Sequence, residues 1–240
     1  MQTPQFTIIT VTLNSEAHLQ ECMESVSRQK DVLVQHIIKD GLSTDNTLDI
    51  TSVFDNVQVV SASDRGIYDA MNQGCEFALG DFIAFLNSDD YYADPGLLRK
   101  VLATFKNEDA DIVCTGITKL NPVNNTHKYW RVGTRFKRFG IRQYPHPGVF
   151  IKKSLLKQLD LPFDPSMNIS SDYKQQLLLF SRPNVKVCLL DDVSVCMRLG
   201  GASTNSIKSK LLGIFECAIS QYQVNGLFFV PLSILKMIRA

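Results

Sequence analysis

The sequence lacks the composition expected of several large protein classes. With 25 basic and 24 acidic residues among 240, the net charge of +1 does not favour a protein that binds nucleic acid through its overall charge. No segment has the form G-x-x-x-x-G-K-[ST] or G-x-G-x-x-G, so the two common glycine-rich phosphate loops are excluded. The six cysteines never occur as C-x-x-C and lie among apolar residues, which predicts reduced core residues.

Long hydrophobic runs are also missing. The most apolar segment, residues 227–238, is about twelve residues long and contains Pro231, whereas a helix needs roughly 20 residues to cross a bilayer. The segment is expected either to pack on the protein or to lie on a membrane surface, where Lys208, Lys210, Lys236 and Arg239 would suit an anionic leaflet. No basic and then apolar leader opens the chain, so we expect a cytoplasmic protein.

Acidic residues are absent between Asp111 and Asp160. Basic residues are frequent in the same stretch, which therefore forms either a solvated surface or one that attracts phosphate or anionic lipid. The basic residues are Lys119, Lys128, Arg131, Arg135, Lys137, Arg138, Arg142, Lys152, Lys153 and Lys157.

Hydrophobic periodicity predicts a β-α-β-α-β-α-β order for the first 90 residues. Apolar and β-branched runs predict strands at 6–13, 34–39, 57–61 and 82–86, and amphipathic segments between them predict helices. Alternation of this kind favours a mostly parallel sheet covered by helices on both faces. The expected fold class is therefore α/β.

The pattern becomes less regular after residue 90. Pro95 fits the first turn of a helix that reaches Phe105, and residues 118–150 predict an irregular or antiparallel region. Further strands are predicted at 112–117, 185–190 and 193–197, and further helices at 154–159, at 172–180 and from Ser206 onward.

The same pattern predicts the domain organisation. We expect one domain over residues 1–205, with halves at 1–117 and 118–205, and a helical tail at 206–240 that could associate with a membrane.

Carboxylates follow the predicted strands at the point where each strand ends. Asp40 follows the second strand, Asp64 the third, and Asp89 and Asp90 the fourth. Because open parallel sheets bind ligands at the carboxyl ends of their strands, we expect these side chains to share one crevice. Negative charge at this density is costly without a cation or hydrogen-bond donors. A metal-bridged diphosphate, with separate carboxylates contacting base and ribose, fits this arrangement.

Four segments of the chain together carry a specific resemblance. They are residues 8–14 (IITVTLN), 37–47 (IIKDGLSTDNT), 63–74 (SDRGIYDAMNQG) and 85–90 (FLNSDD). In order and spacing they resemble glycosyltransferase family 2, and the third segment resembles bacterial enzymes that build exopolysaccharide and O-antigen units. The resemblance covers roughly residues 6–205. It implies a GT-A fold, with a Rossmann-like mostly parallel sheet, and sugar transfer from a nucleotide-sugar with inversion.

The resemblance implies roles for the residues at the ends of the first three strands. Asp40 would accept a hydrogen bond from the base of the donor. Asp64 and Arg65 would lie near its ribose or diphosphate, and Thr12 and Asn14 would complete the donor site.

The metal is expected at the fourth strand end. The resemblance implies that Asp90 ligates Mg²⁺ or Mn²⁺ bridging the donor diphosphate, while Asp89 contacts the ribose or the metal. The sequence departs from the family pattern in two places. Lys39 and Leu42 replace residues that are usually Asp and Ser, and Asn87 stands where many relatives have Asp.

The catalytic base is expected downstream, on the acceptor side. Asp172 opens a predicted helix after an irregular loop, as the acidic base does in relatives, with Ser171 in place of the usual Glu. Helix capping by Asp172 is the alternative interpretation. His146 lies between Pro145 and Pro147, and it is expected either to contact the donor diphosphate or acceptor, or to be structural.

The sequence therefore predicts a metal-dependent inverting glycosyltransferase. Its acceptor would be a glycan, expected to be lipid-diphosphate-linked, at the cytoplasmic face of the inner membrane. A nucleotidyltransferase that makes a nucleotide-sugar is the alternative, although residues 14–18 lack a glycine-rich basic loop. A non-catalytic sugar-binding relative is a further alternative. A haloacid-type phosphatase is disfavoured because no Asp ends the first strand.

Overall fold

Four parallel strands form the N-terminal half of the sheet, as the periodicity predicts. In this computed structural model, residues 3–133, 143–200 and 207–226 are described. The strands are β1 (Phe6–Thr12), β2 (Val34–Asp40), β3 (Val57–Ser61) and β4 (Phe82–Phe85), and β1 lies between β2 and β4. The helices that connect them are α1 (Leu19–Ser27), α2 (Thr47–Thr51) and α3 (Ile67–Glu76). Every residue of β1 is buried, as expected for a parallel strand covered on both faces.

The second half extends the same sheet with mixed polarity. Its elements are β5 (Tyr91–Tyr92), α4 (Leu97–Glu108), β6 (Ile112–Asn121), β7 (Thr126–Trp130), β8 (Val149–Lys152), α5 (Lys153–Leu156), α6 (Ser171–Phe180), β9 (Val187–Arg198) and α7 (Ile207–Asn225). The strand order is β3-β2-β1-β4-β8-β6-β9-β5, with β7 paired to β6. β8 is antiparallel to both of its neighbours, β4 and β6, and β9 is parallel to β6.

The expected α/β class and the predicted antiparallel region are confirmed, but one strand assignment is wrong. The two strands predicted at 185–190 and 193–197 form a single strand, β9. The pairing of β9 with β6 shifts register between Thr115 and Ile117, and this irregularity lets the strand continue past Asp191 and Asp192. Within the region 118–150, β7 and β8 pair antiparallel with β6.

Two hydrophobic cores cover the two faces of the sheet. α1 and α4 pack on one face, and α3, α5 and α6 pack on the other. The cysteines of the described residues are unpaired, as expected, and most are buried. Across the described ranges, no helix is long and apolar enough to span a membrane.

Helix α7, which lies in the segment predicted to be a helical tail, packs on α6. Cys217 of α7 shares a small core with Tyr173 and Leu177 of α6. The rest of that predicted tail, including the apolar segment 227–238, lies outside the described residues, as do Arg135, Lys137, Arg138 and Arg142 of the basic stretch.

Candidate active site

Asp40, at the end of β2, organises the loop that follows it. Its carboxylate is fully buried and accepts hydrogen bonds from the hydroxyls of Thr12 (3.2 Å), Ser61 (2.8 Å) and Ser43, and from the backbone N–H groups of Leu42 (3.0 Å) and Ser43 (3.1 Å). Burial alone would raise the pKa of Asp40, but these hydrogen bonds outweigh burial and hold the pKa below its usual value. Asp40 is therefore an ionised carboxylate whose oxygens are occupied by the chain itself.

Asp64 is the carboxylate that lies over the same loop. Its Oδ2 accepts a 3.1 Å salt bridge from Lys39, whose buried ammonium also donates to the carbonyl oxygens of Asp40 (2.8 Å) and Ala62 (2.6 Å). A Cβ atom at Gly41 would lie only 2.8 Å from Asp64 Oδ2, so the missing side chain at position 41 leaves the space that this carboxylate fills. Lys39, where relatives usually have Asp, thus anchors Asp64.

The predicted donor residues Asn14 and Arg65 lie at the ends of β1 and β3. Asn14 adopts a left-handed backbone conformation (φ 51°), and its Oδ1 accepts the backbone N–H of Thr44 at 2.9 Å, which ties the end of β1 to the 41–44 loop. The guanidinium of Arg65 is 77% exposed and donates to Asp69 Oδ1 at 3.0 Å, which leaves most of its donors open to a ligand.

Asp89 and Asp90 lie in the turn after β4 and differ in exposure. Asp90 is 1% exposed, and its carboxylate accepts the backbone N–H of Arg198 (3.1 Å) and the side-chain amide of Asn87 (3.2 Å). Burial, with the nearby charge of Asp89, raises the pKa of Asp90 well above its usual value. Asp89 is only partly buried, and its backbone carbonyl accepts a 2.7 Å hydrogen bond from the Arg198 guanidinium. Asp89 is therefore the open carboxylate of the pair.

Asp172 lies in the first turn of α6, beside two groups from other elements. The Tyr68 hydroxyl is 3.3 Å from its Oδ1, and the charge of Asp172 acts on His146. Burial raises the pKa of Asp172, while His146 and the Tyr68 hydrogen bond act in the opposite direction. A carboxylate with a raised pKa next to a hydrogen-bonding hydroxyl is an effective proton acceptor.

His146 links this group to the end of β4. Its ring stacks on Phe85 at 5.4 Å between centroids and meets Phe163 edge-on at 5.6 Å. Both ring nitrogens are buried, and neither has a hydrogen-bond partner within the described part of the chain. Burial lowers the pKa of His146, partly offset by Asp172, so the ring is neutral at neutral pH.

The structure brings the predicted residues together at one edge of the sheet in three groups. Thr12, Asn14, Asp40 and Asp64 surround the 41–44 loop, Asp89 and Asp90 follow β4, and His146 and Asp172 form a third group with Tyr68. A 3.0 Å hydrogen bond between the hydroxyls of Ser15 and Ser88 joins the first two groups.

A surface cavity of about 450 Å³ between α4 and the start of β9 lies at the opposite edge of the sheet and contains none of these side chains.

Sequence reasoning missed Tyr68 and Lys39 as members of the site. Tyr68 lies inside the SDRGIYDAMNQG segment, so its position was available, but its contact with Asp172 spans more than 100 residues of sequence. Lys39 was identified as a departure from the family pattern without a partner, and the structure supplies that partner as Asp64.

Carboxylates at the ends of the parallel strands, together with Asp172 beyond them, thus define a candidate active site on an α/β sheet. The family model of glycosyl transferase family 2 matches residues 7–159, and the chain belongs to that family. The expected glycosyltransferase identity is thereby confirmed.

Its relatives include bacterial proteins that are named as glycosyltransferases. A PGL/p-HBAD biosynthesis glycosyltransferase of Mycobacterium tuberculosis is 28% identical over 217 residues, which cover 88% of this chain and 83% of the relative. The putative glycosyltransferase EpsH of Bacillus subtilis is 28% identical over 130 residues, which cover 52% of this chain and 38% of EpsH.

Solved structures confirm the GT-A-type fold. S. aureus TarS 1-349 in complex with UDP-GlcNAc superposes with a TM-score of 0.75 at 19% identity, covering 92% of this chain and 67% of that one. The mannosyltransferase PcManGT from Pyrobaculum calidifontis, in complex with GDP-Man and Mn²⁺, gives a TM-score of 0.70 at 12% identity, covering 100% of this chain and 69% of that one. The chain thus spans about two thirds of these crystallised chains.

Proposed function

We propose that this glycosyltransferase moves a sugar from a nucleotide-diphosphate sugar to a hydroxyl of a glycan acceptor, with inversion and with a divalent metal. The observation that carries the proposal is Asp172, a partly buried carboxylate with a raised pKa beside Tyr68 and His146. Inversion needs one such base, because the acceptor oxygen attacks the face of the sugar opposite the leaving diphosphate.

The donor nucleotide is proposed to bind around the 41–44 loop. Asp40 is enclosed by five donors of the chain, so we assign it the shaping of this loop, whereas Asp64 is the carboxylate placed to meet the base or ribose. The open guanidinium of Arg65 supplies a charge for the ribose or diphosphate. Relatives of the same fold bind UDP-GlcNAc and GDP-Man, which supports a nucleotide-sugar donor.

The residues after β4 fit a metal that is shared with the donor. Nowhere in the described ranges do three carboxylate, His or Cys side chains come close enough to hold an ion by themselves. Mg²⁺ and Mn²⁺ sites of this kind use one or two carboxylates together with substrate phosphates. The buried Oδ1 of Asn87, which has no hydrogen-bond partner among the described residues, is a further acceptor beside them.

We assign Asp89 as the main metal ligand, with Asp90 holding the turn. Asp89 is the accessible carboxylate, whereas Asp90 is enclosed and already accepts the backbone N–H of Arg198. This proposal differs from the sequence-based expectation, in which Asp90 is the metal ligand and Asp89 contacts the ribose or the metal. When bound, Mn²⁺ or Mg²⁺ would stabilise the negative charge that develops on the leaving diphosphate.

The chemical step is a single displacement. Asp172 takes the proton of the acceptor hydroxyl while the oxygen forms its bond to the anomeric carbon. The bond from that carbon to the diphosphate breaks, and its electron pair leaves with the nucleoside diphosphate. Tyr68 fixes the orientation of Asp172, and the neutral ring of His146 presents two unpaired nitrogens between the base and the end of β4.

A lipid-diphosphate-linked acceptor and peripheral contact with the cytoplasmic face of the inner membrane belong to the same proposal. Helix α7 exposes Leu211, Phe215 and Tyr222, whose spacing puts them on one side of the helix, and Lys208 is exposed in its first turn. An apolar stripe with a neighbouring basic residue suits an anionic membrane surface.

A transfer assay tests the proposal. The purified chain is incubated with UDP-, GDP- and dTDP-sugars and a prenyl-diphosphate-linked sugar, with Mn²⁺ or with EDTA, and the anomeric configuration of the product is read by NMR. We expect an inverted product that requires the metal and disappears in Asp172→Asn. A retained anomeric configuration contradicts inversion, and activity in EDTA contradicts the metal requirement. An active Asp172→Asn variant contradicts the role of Asp172 as the base. Release of pyrophosphate from a nucleoside triphosphate and a sugar phosphate would instead indicate a nucleotidyltransferase, and donor binding without turnover a non-catalytic relative.

A further inference from the structure

Glu216 of α7 is a buried carboxylate that binds three consecutive backbone amides. It is 5% exposed. Its Oε1 accepts the N–H of Asn168 at 2.8 Å, and its Oε2 accepts the N–H groups of Ile169 (2.9 Å) and Ser170 (2.8 Å). Hydrogen bonds between backbone N–H groups and an ionised carboxylate are strong, and leaving such a carboxylate without them would be costly. Glu216 thus fixes the backbone that precedes α6.

That backbone segment leads directly to the proposed base. The carbonyl oxygen of Ile169 accepts the Tyr68 hydroxyl at 2.7 Å, and the same hydroxyl is 3.3 Å from Asp172 Oδ1. Ser170 precedes α6, and Asp172 is the second residue of that helix. A displacement of residues 168–170 would therefore move both Asp172 and the hydroxyl that orients it.

Other contacts hold α7 against the same segment. The Ser170 hydroxyl donates to the carbonyl oxygen of Gly213 at 3.1 Å, and a Cβ at Gly213 would lie 3.0 Å from Ile169 Cγ2. About two turns beyond Gly213, the Gln221 amide bonds the hydroxyl of Tyr173 in α6. The helix therefore approaches the segment closely and bonds it from two successive turns, at Gly213 and at Glu216.

Apolar packing also attaches α7 to the domain, through the core that Cys217 shares with Tyr173 and Leu177. A buried carboxylate adds little net stability, because its desolvation cost offsets its hydrogen bonds, but it fixes the position of the groups that it binds. The amides of residues 168–170 lie just before a helix and have no intrahelical acceptor, so they need one from elsewhere. Glu216 supplies that acceptor at the segment that leads into α6, the helix that carries the proposed base.

We propose that Glu216 is a positioning residue for Asp172, and that α7 is part of the active site. The inference rests on the proposed function, because it takes Asp172 as the base. Glu216 itself contacts neither donor nor acceptor and acts through the backbone of residues 168–170.

Hydrogen exchange of the whole chain tests, without any substrate, whether Glu216 fixes the backbone of residues 168–170. In Glu216→Gln and Glu216→Ala, amides in a peptide covering 168–172 are expected to exchange about tenfold faster or more than in the wild type, because a charged acceptor is lost. Peptides covering the 41–44 loop are expected to be unchanged. The matched control is Glu108→Gln, at the exposed end of α4. Unchanged exchange at 168–170 in Glu216→Ala overturns the proposal.

Kinetic measurements test whether this positioning by Glu216 affects the chemical step. With a nucleotide-sugar that the wild type turns over, kcat is expected to fall on the order of 10–100-fold in Glu216→Ala and less in Glu216→Gln, which keeps one acceptor oxygen. The donor KM, and UDP binding with Mn²⁺ by calorimetry, are expected to stay at the wild-type value. A raised donor KM with unchanged kcat, or full activity in Glu216→Ala, overturns the proposal. If the wild type turns over no nucleotide-sugar, or Asp172→Asn stays active, the proposed function fails, and the exchange data still decide whether Glu216 fixes the segment.

Discussion

The hydroxyl of Tyr68 lies 3.3 Å from Asp172 Oδ1 and 2.7 Å from the carbonyl oxygen of Ile169. Tyr68 belongs to α3, which follows the third parallel strand, whereas Asp172 is the second residue of α6. The hydroxyl has a single proton to donate, which these two acceptors share. This contact connects the half of the molecule that carries the strand-end carboxylates to the candidate base.

Replacing Tyr68 by Phe is expected to change the pH dependence of transfer. The hydrogen bond from Tyr68 favours the ionised form of Asp172, so its loss raises the pKa of Asp172 further. A base must be ionised to act, and activity is lost as pH falls through its pKa. The acidic limb of the kcat/KM profile is therefore expected to move to higher pH in Tyr68→Phe. Tyr129→Phe, on exposed β7, serves as the control. An acidic limb at the wild-type position contradicts the assigned contact.

Replacing Asp172 by Asn is expected to stabilise the protein while abolishing transfer. The pKa of Asp172 is raised in the folded state, so this group contributes most to stability below its unfolded pKa, and that contribution is lost as pH rises through the folded pKa. At neutral pH the negative charge of Asp172 therefore destabilises the folded state, and the neutral amide of Asn removes that charge. We expect a higher Tm at pH 7, by about 2–4 °C for each kcal/mol recovered. At pH 3 the difference is expected to vanish, and an equal or lower Tm at pH 7 would show that Asp172 is a structural charge.

The sequence was sufficient for the first half of the fold, since each of its first three strands is followed by a helix within the local pattern. The carboxyl ends of β1 to β4 then had to meet at one edge, which is why Asp40, Asp64 and Asp89 could be placed together. The second half depends on long-range pairing. β8 inserts between β4 and β6, and nothing in its four residues specifies those partners.

The roles of individual carboxylates depend on burial and hydrogen bonds, which sequence spacing does not reveal. Adjacent Asp89 and Asp90 look alike in sequence, yet the backbone N–H of Arg198, more than 100 residues away, bonds only Asp90. Glu216 is similar, because its partners are backbone amides at 168–170, and backbone amides carry no sequence signal.

The two carboxylates after β4 are expected to respond differently to truncation. Asp89→Ala removes the accessible ligand and is expected to reduce the affinity for UDP in the presence of Mn²⁺, while the free energy of unfolding changes by less than about 0.5 kcal/mol. Asp90→Ala removes the acceptor of the part-buried hydrogen bond from the Arg198 N–H and is expected to cost about 1–3 kcal/mol of stability. Calorimetry with UDP and Mn²⁺, together with urea unfolding, measures both effects. If only Asp90→Ala lost Mn²⁺-dependent binding of UDP, Asp90 and not Asp89 would be the main metal ligand.

A methyl group at position 41 is expected to weaken donor binding selectively. In Gly41→Ala the added Cβ would lie 2.8 Å from Asp64 Oδ2, closer than real Cβ contacts allow, so the carboxylate must move and its 3.1 Å salt bridge with Lys39 must lengthen. The base group on α6 is untouched, so the donor KM is expected to rise about tenfold or more while kcat changes little. Gly96→Ala is the matched control, since its Cβ would also face an Asp carboxylate, that of Asp94, but at a tolerable 3.3 Å and at the start of α4. A fall in kcat with an unchanged KM would contradict the assignment of Asp64 to the donor, because the displaced carboxylate would then act on the chemical step.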